Sequence, residues 1–294
     1  NLKQMGIILK MYSNESKGGK YPMSSPVGQW LWMDTIALYP EYLTDSKLLV
    51  CPSDPVPSQE EVAELVETIG SGDPGDTLGL GVNLADPDLQ RKAMEVALCQ
   101  SYSYVYISYL CDSVNALAGY NQGWNNYRKK KCNNKAAYYW CPKDEDLNLS
   151  ANALGGLGPH TAFNNAWPNE TPVVRTGSGG GNICYRLKEG VERFLITDIN
   201  NPAGSAQAQS TVPVSLDGIG AAQAHNGNTR AATAMANRYN HAPGGCNVLY
   251  LDGHVEFLKY PSKYPVVLWS ATQGLGGTIG ASLKNNVNWL ERFN

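Results

Sequence analysis

The sequence predicts an α+β domain, an N-terminal helix packed on an antiparallel β-sheet with long loop insertions. Three stretches predict it. Residues 1–13 (NLKQMGIILKMYS) repeat apolar side chains at helical spacing. Residues 101–110 (SYSYVYISYL) alternate with period two, as a strand does. Residues 238–260 hold two apolar runs joined by Asp252-Gly253, a strong hairpin signal. With 294 residues, 43% hydrophobic and 17% charged, the chain can bury a sizeable core as one large domain or two small ones. The formal net charge of -3 argues against a nucleic-acid surface.

In the first stretch, Leu2, Met5, Ile8, Leu9 and Tyr12 share one stripe, the expected packing face of the helix. Two glycines and a proline in residues 14–22 end it. The run Leu48-Leu-Val-Cys51-Pro reads as extended and is stopped by Pro52 and Pro55. Two polar helices follow in an insertion at about residues 56–98. One opens on a capping box from Ser58 to Glu61, the other on Asp86 as cap with Pro87 in its first turn. Gly79-x-Gly-x-Gly lacks both a preceding strand and Lys-Ser/Thr, so it is not a phosphate loop. The period-two strand then places Tyr102, Tyr104 and Tyr106 on one face.

A second insertion covers residues 119–182. Its basic run at 128–131 lies beside Trp124 and Tyr127 and reads as a solvated loop or a charge contact with a neighbouring subunit. Residues 193–197 predict a strand, and residues 212–217 another, with Pro213 favouring a sheet edge. A two-residue type I′ turn at Asp252-Gly253 sets Tyr250 opposite Val255 and Val248 opposite Phe257. Those four would form the core face, and the face with Leu249 and Leu251 would be half covered.

Seven cysteines match no zinc spacing. In an oxidising compartment, Cys132 with Cys141 and Cys99 with Cys111 are the disulfide candidates; otherwise the thiols are buried and free. Of the four histidines, His241 and His254 join Asp252 as imaginable transition-metal ligands. Yet a His before Pro-Gly-Gly can simply fix a loop, and the turn itself asks for Asp252. No nucleophile elbow, zinc-protease helix or framed carboxylate pair is present, and nothing selects a cysteine for a Cys–His pair, so no enzyme is expected. Asp198, Asn200, Asp217 and Asp252 are either turn formers or oxygen ligands for calcium.

The stretch carrying His241, Gly244, Gly245, Asp252, Gly253 and His254 resembles the C-terminal signature of a large family of pilin-like proteins of planctomycete-type bacteria. The spacer from His241 to Asp252 is one residue longer than usual there, which fits an extra residue in the loop before the strand. The first twelve residues, the Cys51-Pro52 segment, the Ser-Tyr-Ser-Tyr strand and the run from Cys184 are similar to that family too. The resemblance implies a pilin-like fold and a subunit of an extracellular type IV pilus-like or pseudopilus filament. Residues 1–19 would be the C-terminal part of the pilin-type helix, its apolar half and a prepilin peptidase site lying before Asn1, and residues 20–294 the globular head. Partners implied are other copies of the chain, prepilin peptidase and the pilus or secretion assembly machinery. The precursor would sit in the inner membrane and the product at the cell surface or in the periplasm. Calcium in the C-terminal loops of some major pseudopilins makes the four oxygen ligands relevant. A second reading is a secreted or envelope glycan-binding module using Trp124, Tyr127, Tyr138, Tyr139, Trp140 and Trp167, since exposed aromatics stack on sugars.

Overall fold

The computed structural model describes residues 1–25, 31–53, 58–72, 83–99, 102–131, 144–150, 174–196, 202–218, 241 and 244–266. Its centre is a four-stranded sheet. β1 (Tyr104–Tyr106) and three later strands, β4 (Pro213–Asp217), β5 (Gly245–Tyr250) and β6 (Val255–Lys259), pair antiparallel in the order β1-β4-β5-β6. Two short strands, β2 (Leu147–Asn148) and β3 (Ile183–Cys184), form a separate antiparallel pair. The architecture is therefore mixed helix and antiparallel sheet.

Both faces of the larger sheet are buried. On one, Val105, Leu216, Val248 and Tyr250 share a core cluster with Leu117, Tyr120 and Trp124 of α4 (Val114–Lys131). On the other, Tyr104, Tyr106 and Leu249 share a cluster with Leu2, Met5, Ile8 and Leu9 of α1 (Leu2–Glu15). Each of those α1 side chains removes enough apolar surface from water to stabilise the docked helix by roughly 1.5–3 kcal/mol. Tyr12, the fifth residue of the stripe, is partly buried against the same cluster. Two further helices, α2 (Gln59–Ser71) and α3 (Pro87–Leu98), pack on each other through Leu65, Ile69, Ala93 and Val96. Their caps are as the sequence predicts: Ser58 and Glu61 bond reciprocally, and Asp86 accepts from Asp88 N and Leu89 N. No described helix is long and apolar enough to cross a membrane.

The structure corrects several expectations. The β5–β6 hairpin pairs Leu249 with Val255, Val248 with Glu256 and Asn247 with Phe257, one residue away from the expected register. The loop holds three residues, Leu251, Asp252 and Gly253, with Gly253 at φ 87. Leu251 is drawn into this loop because its N–H bonds Val212 O at 2.9 Å and its side chain is buried. The slip exchanges faces: Val248 and Tyr250 stay inside, Leu249 and Leu251 are buried rather than half covered, and Phe257 is 49% exposed. The described part of the strand expected at residues 193–197, up to Ile196, is not a strand. Gly190, at φ 75, reverses the chain into a 3-10 turn over Val191–Leu195, and Phe194 stacks on Tyr185 at 3.8 Å. β4 is a central strand, not an edge. Pro213 is tolerated because it is the strand's first residue, beside a register shift. The start of the second insertion is helix α4, not loop, and its first half belongs to the core. Cys99 and Cys111 form no disulfide with each other: Cys99 clusters with residues of α2 and α3, whereas Cys111 lies in the core cluster with α4.

Candidate functional site

One polar cluster is built where β1, β4 and β5 lie side by side. Asp217, the last residue of β4, pairs with Tyr104 of β1, and its neighbour Leu216 pairs with Val248 of β5. Asn247 on β5 thus comes beside Asp217. It donates to Asp217 Oδ2 twice, from the backbone N–H at 2.7 Å and from Nδ2 at 2.8 Å. Ahead of β5 the chain turns tightly: Gly244 N and Gly245 N both bond His241 O, at 2.9 and 3.2 Å. Gly245 is required there, because a Cβ would lie 2.6 Å from Leu258 O. This turn brings His241 Nε2 to 2.9 Å from Asp217 Oδ2 and 3.1 Å from Asn247 Nδ2.

The fourth member arrives from the other end of the chain. Val50 O is held by Asn1 Nδ2 at 2.8 Å and by Gln59 Nε2 at 3.1 Å, and the next residue, Cys51, places Sγ 3.6 Å from His241 Nε2. The cluster faces a cavity of about 250 Å³ lined by Asn1, Lys3, Tyr104 and Val255 as well as the cluster residues. Burial pushes the Asp217 carboxyl above the usual carboxylate range, against the Asn247 amide and His241, which pull it down. Burial likewise pushes the Cys51 thiol up. The Tyr104 hydroxyl is raised by burial and then by the charges of Cys51 and Asp217.

This geometry is not a nucleophile relay. A Cys–His–Asp relay uses one imidazole nitrogen toward the thiol and the other toward the carboxylate. Here Nε2 faces both, and a thiol raised by burial is the opposite of an activated thiolate. What the arrangement can do is hold a cation: Cys51, Asp217 and His241 each offer one ligand atom, and those atoms lie within 4.8 Å of one another.

Of the residues singled out from sequence, His241 and Asp217 are therefore brought together, with Gly244 and Gly245 shaping the turn between them. Asp252, Gly253 and His254 lie beyond the other end of β5, about 10 Å of strand past Asn247. There His254 N and Nδ1 lie 3.0 and 2.6 Å from Asp252 Oδ1, and the imidazole stacks on Tyr250 at 4.4 Å. His241 and His254 do not approach each other, and Asp217 and Asp252 share no site. Asp198, Asn200, Cys132 and Cys141 lie outside the described residues, as do Tyr138, Tyr139, Trp140 and Trp167. Trp124 is only 5% exposed and packs in the core, away from any sugar-stacking surface. Sequence reasoning missed Asn247 and the role of Cys51. The signals were a polar residue inside an otherwise apolar strand and a Cys-Pro segment read only as an extended run and a point of resemblance. No family model, curated protein or solved structure matches the chain.

Proposed function

We propose that the chain is a structural subunit of an extracellular filament of type IV pilus or pseudopilus kind, assembling with copies of itself through α1 and head contacts. The observation that carries this reading is the division of α1 into two apolar faces. Leu2, Met5, Ile8 and Leu9 seat the helix on the sheet. Ile7 and Met11, one helical turn apart, stay 54% and 47% exposed on another side. A second copy of the chain, presenting its own α1, would cover them by helix-on-helix packing. The helix stands on a rigid base, since its docked face and the Glu189 contacts fix it to the head. The resemblance of the signature residues adds the precursor stage in the inner membrane and processing by a prepilin peptidase.

The test uses the native gene in its own cells. Surface material sheared from wild-type cells should contain fibres labelled by antibody to this chain. Cells carrying Ile7→Lys with Met11→Lys should make a folded subunit with an unchanged melting temperature but no fibres. Fibres of normal abundance from the double variant, or fibres that the antibody never labels, would contradict the reading.

A further inference from the structure

Three side chains from remote parts of the chain meet at one nitrogen. His241 Nε2 has a single proton or lone pair to offer, yet it faces Asp217 Oδ2 at 2.9 Å, Asn247 Nδ2 at 3.1 Å and Cys51 Sγ at 3.6 Å. One proton or one lone pair can serve one of these contacts well, not all three. A cation does satisfy sulfur, nitrogen and oxygen together. We propose that Cys51 Sγ, His241 Nε2 and a carboxylate oxygen of Asp217 form a binding site for one borderline divalent transition-metal ion, of the zinc class.

The spacing supports that ion. With zinc–sulfur at about 2.3 Å, zinc–nitrogen at about 2.0–2.1 Å and a tetrahedral angle, the sulfur and nitrogen stand about 3.6 Å apart. The observed separation is 3.6 Å. Nitrogen and oxygen ligands stand about 3.3 Å apart in the same geometry, so the His241–Asp217 contact at 2.9 Å opens by about 0.4 Å to admit the ion. The donor set argues for the class. Calcium and magnesium take oxygen ligands; a thiolate with an imidazole and a carboxylate suits zinc. A supporting layer is in place too, because Asn247 fixes the carboxylate through two N–H groups, as ligating carboxylates are commonly fixed.

Three protein ligands leave a fourth position, which opens on the cavity lined by Asn1, Lys3 and Tyr104. The ion would also tie the Cys51 segment, and through Asn1 the start of α1, to the sheet. This inference does not depend on filament assembly.

The experiment is metal titration of the full chain, kept reduced and stripped by dialysis against chelator. Cobalt(II) should bind with one equivalent per chain and give a thiolate-to-cobalt charge-transfer band, and zinc should displace it. X-ray absorption on the zinc-loaded, unmutated chain should show one sulfur at about 2.3 Å and nitrogen or oxygen neighbours at about 2.0–2.1 Å. Cys51→Ser and His241→Ala should each weaken binding by at least about 100-fold, a full ligand costing no less than the upper end of the range for supporting residues. His254→Ala, at the distant hairpin turn, should leave it unchanged. An absorption spectrum without sulfur, a band that survives in Cys51→Ser, or loss of binding in His254→Ala would overturn the assignment. So would the absence of cobalt binding.

Discussion

Glu189 ties α1 to the head. Its carboxylate lies 2.9 Å from Lys10 Nζ, 3.0 Å from Ser13 Oγ and 2.8 Å from the Tyr21 hydroxyl. Burial alone would raise its pKa, but the bonds from Lys10, Tyr21 and Ser13 outweigh burial and leave it below the usual carboxylate value. A depressed folded-state pKa means stability that is present above the unfolded carboxylate pKa and is lost as pH falls through the folded value. Glu189→Gln should therefore lower urea stability at pH 7 by about 1 kcal/mol. That figure is discounted because Lys10 and Glu189 are 33% and 35% exposed. The difference should shrink towards pH 3, and an equal difference at both pH values would count against it. At the other polar centre, Asn247→Ala removes the Nδ2 donor from a buried carboxylate, leaving the residue's backbone N–H in place, and should cost about 1–3 kcal/mol in a denaturant melt. These contacts show why the site was only half legible. His241 and Asp217 stand out by residue type, but Cys51 lies 190 residues from His241, and only the folded chain, in which Asn1 and Gln59 hold the neighbouring Val50 carbonyl, reveals that they meet.

At the scale of the elements, helix boundaries followed local chemistry. The α1 stripe and the caps of α2 and α3 are written within a few residues of where they act. Strand faces were harder, because the sheet is covered on both sides and alternation no longer marks a single inside. The hairpin register is decided by the bond from Leu251 to Val212 as well as by its own turn. Leu249→Ala should therefore cost about 2–5 kcal/mol, while Phe257→Ser should cost about 1 kcal/mol or less, by urea unfolding of the two variants. The reverse order would restore the register expected from a two-residue turn. Helix α4 was missed because glycine and asparagine disguise it. Gly119 is there for close approach: a Cβ would lie 1.8 Å from Thr176 O, a backbone atom that cannot swing aside. Gly119→Ala should destabilise the fold by about 1–3 kcal/mol through overpacking, although alanine is the better helix former. A stabilised variant in the same urea measurement would contradict this.

For the whole molecule, the α+β class was legible because it follows from period: one helical stripe, one alternating strand and one hairpin. The four-stranded order was not, since β4 reads as an edge until β1 pairs on its far side. The completed sheet carries α1 on one face and α4 on the other. The proposed filament role would use this arrangement, with α1 seated on the sheet while neighbouring copies stack against it. The most direct measurement is a cryo-electron-microscopy reconstruction of fibres sheared from the native cells. The account predicts this chain in the fibre, α1 directed towards the axis, and Ile7 and Met11 buried against the helix of a neighbouring copy. Fibres lacking this chain, or a reconstruction in which Ile7 and Met11 face solvent on the outer surface, would contradict it.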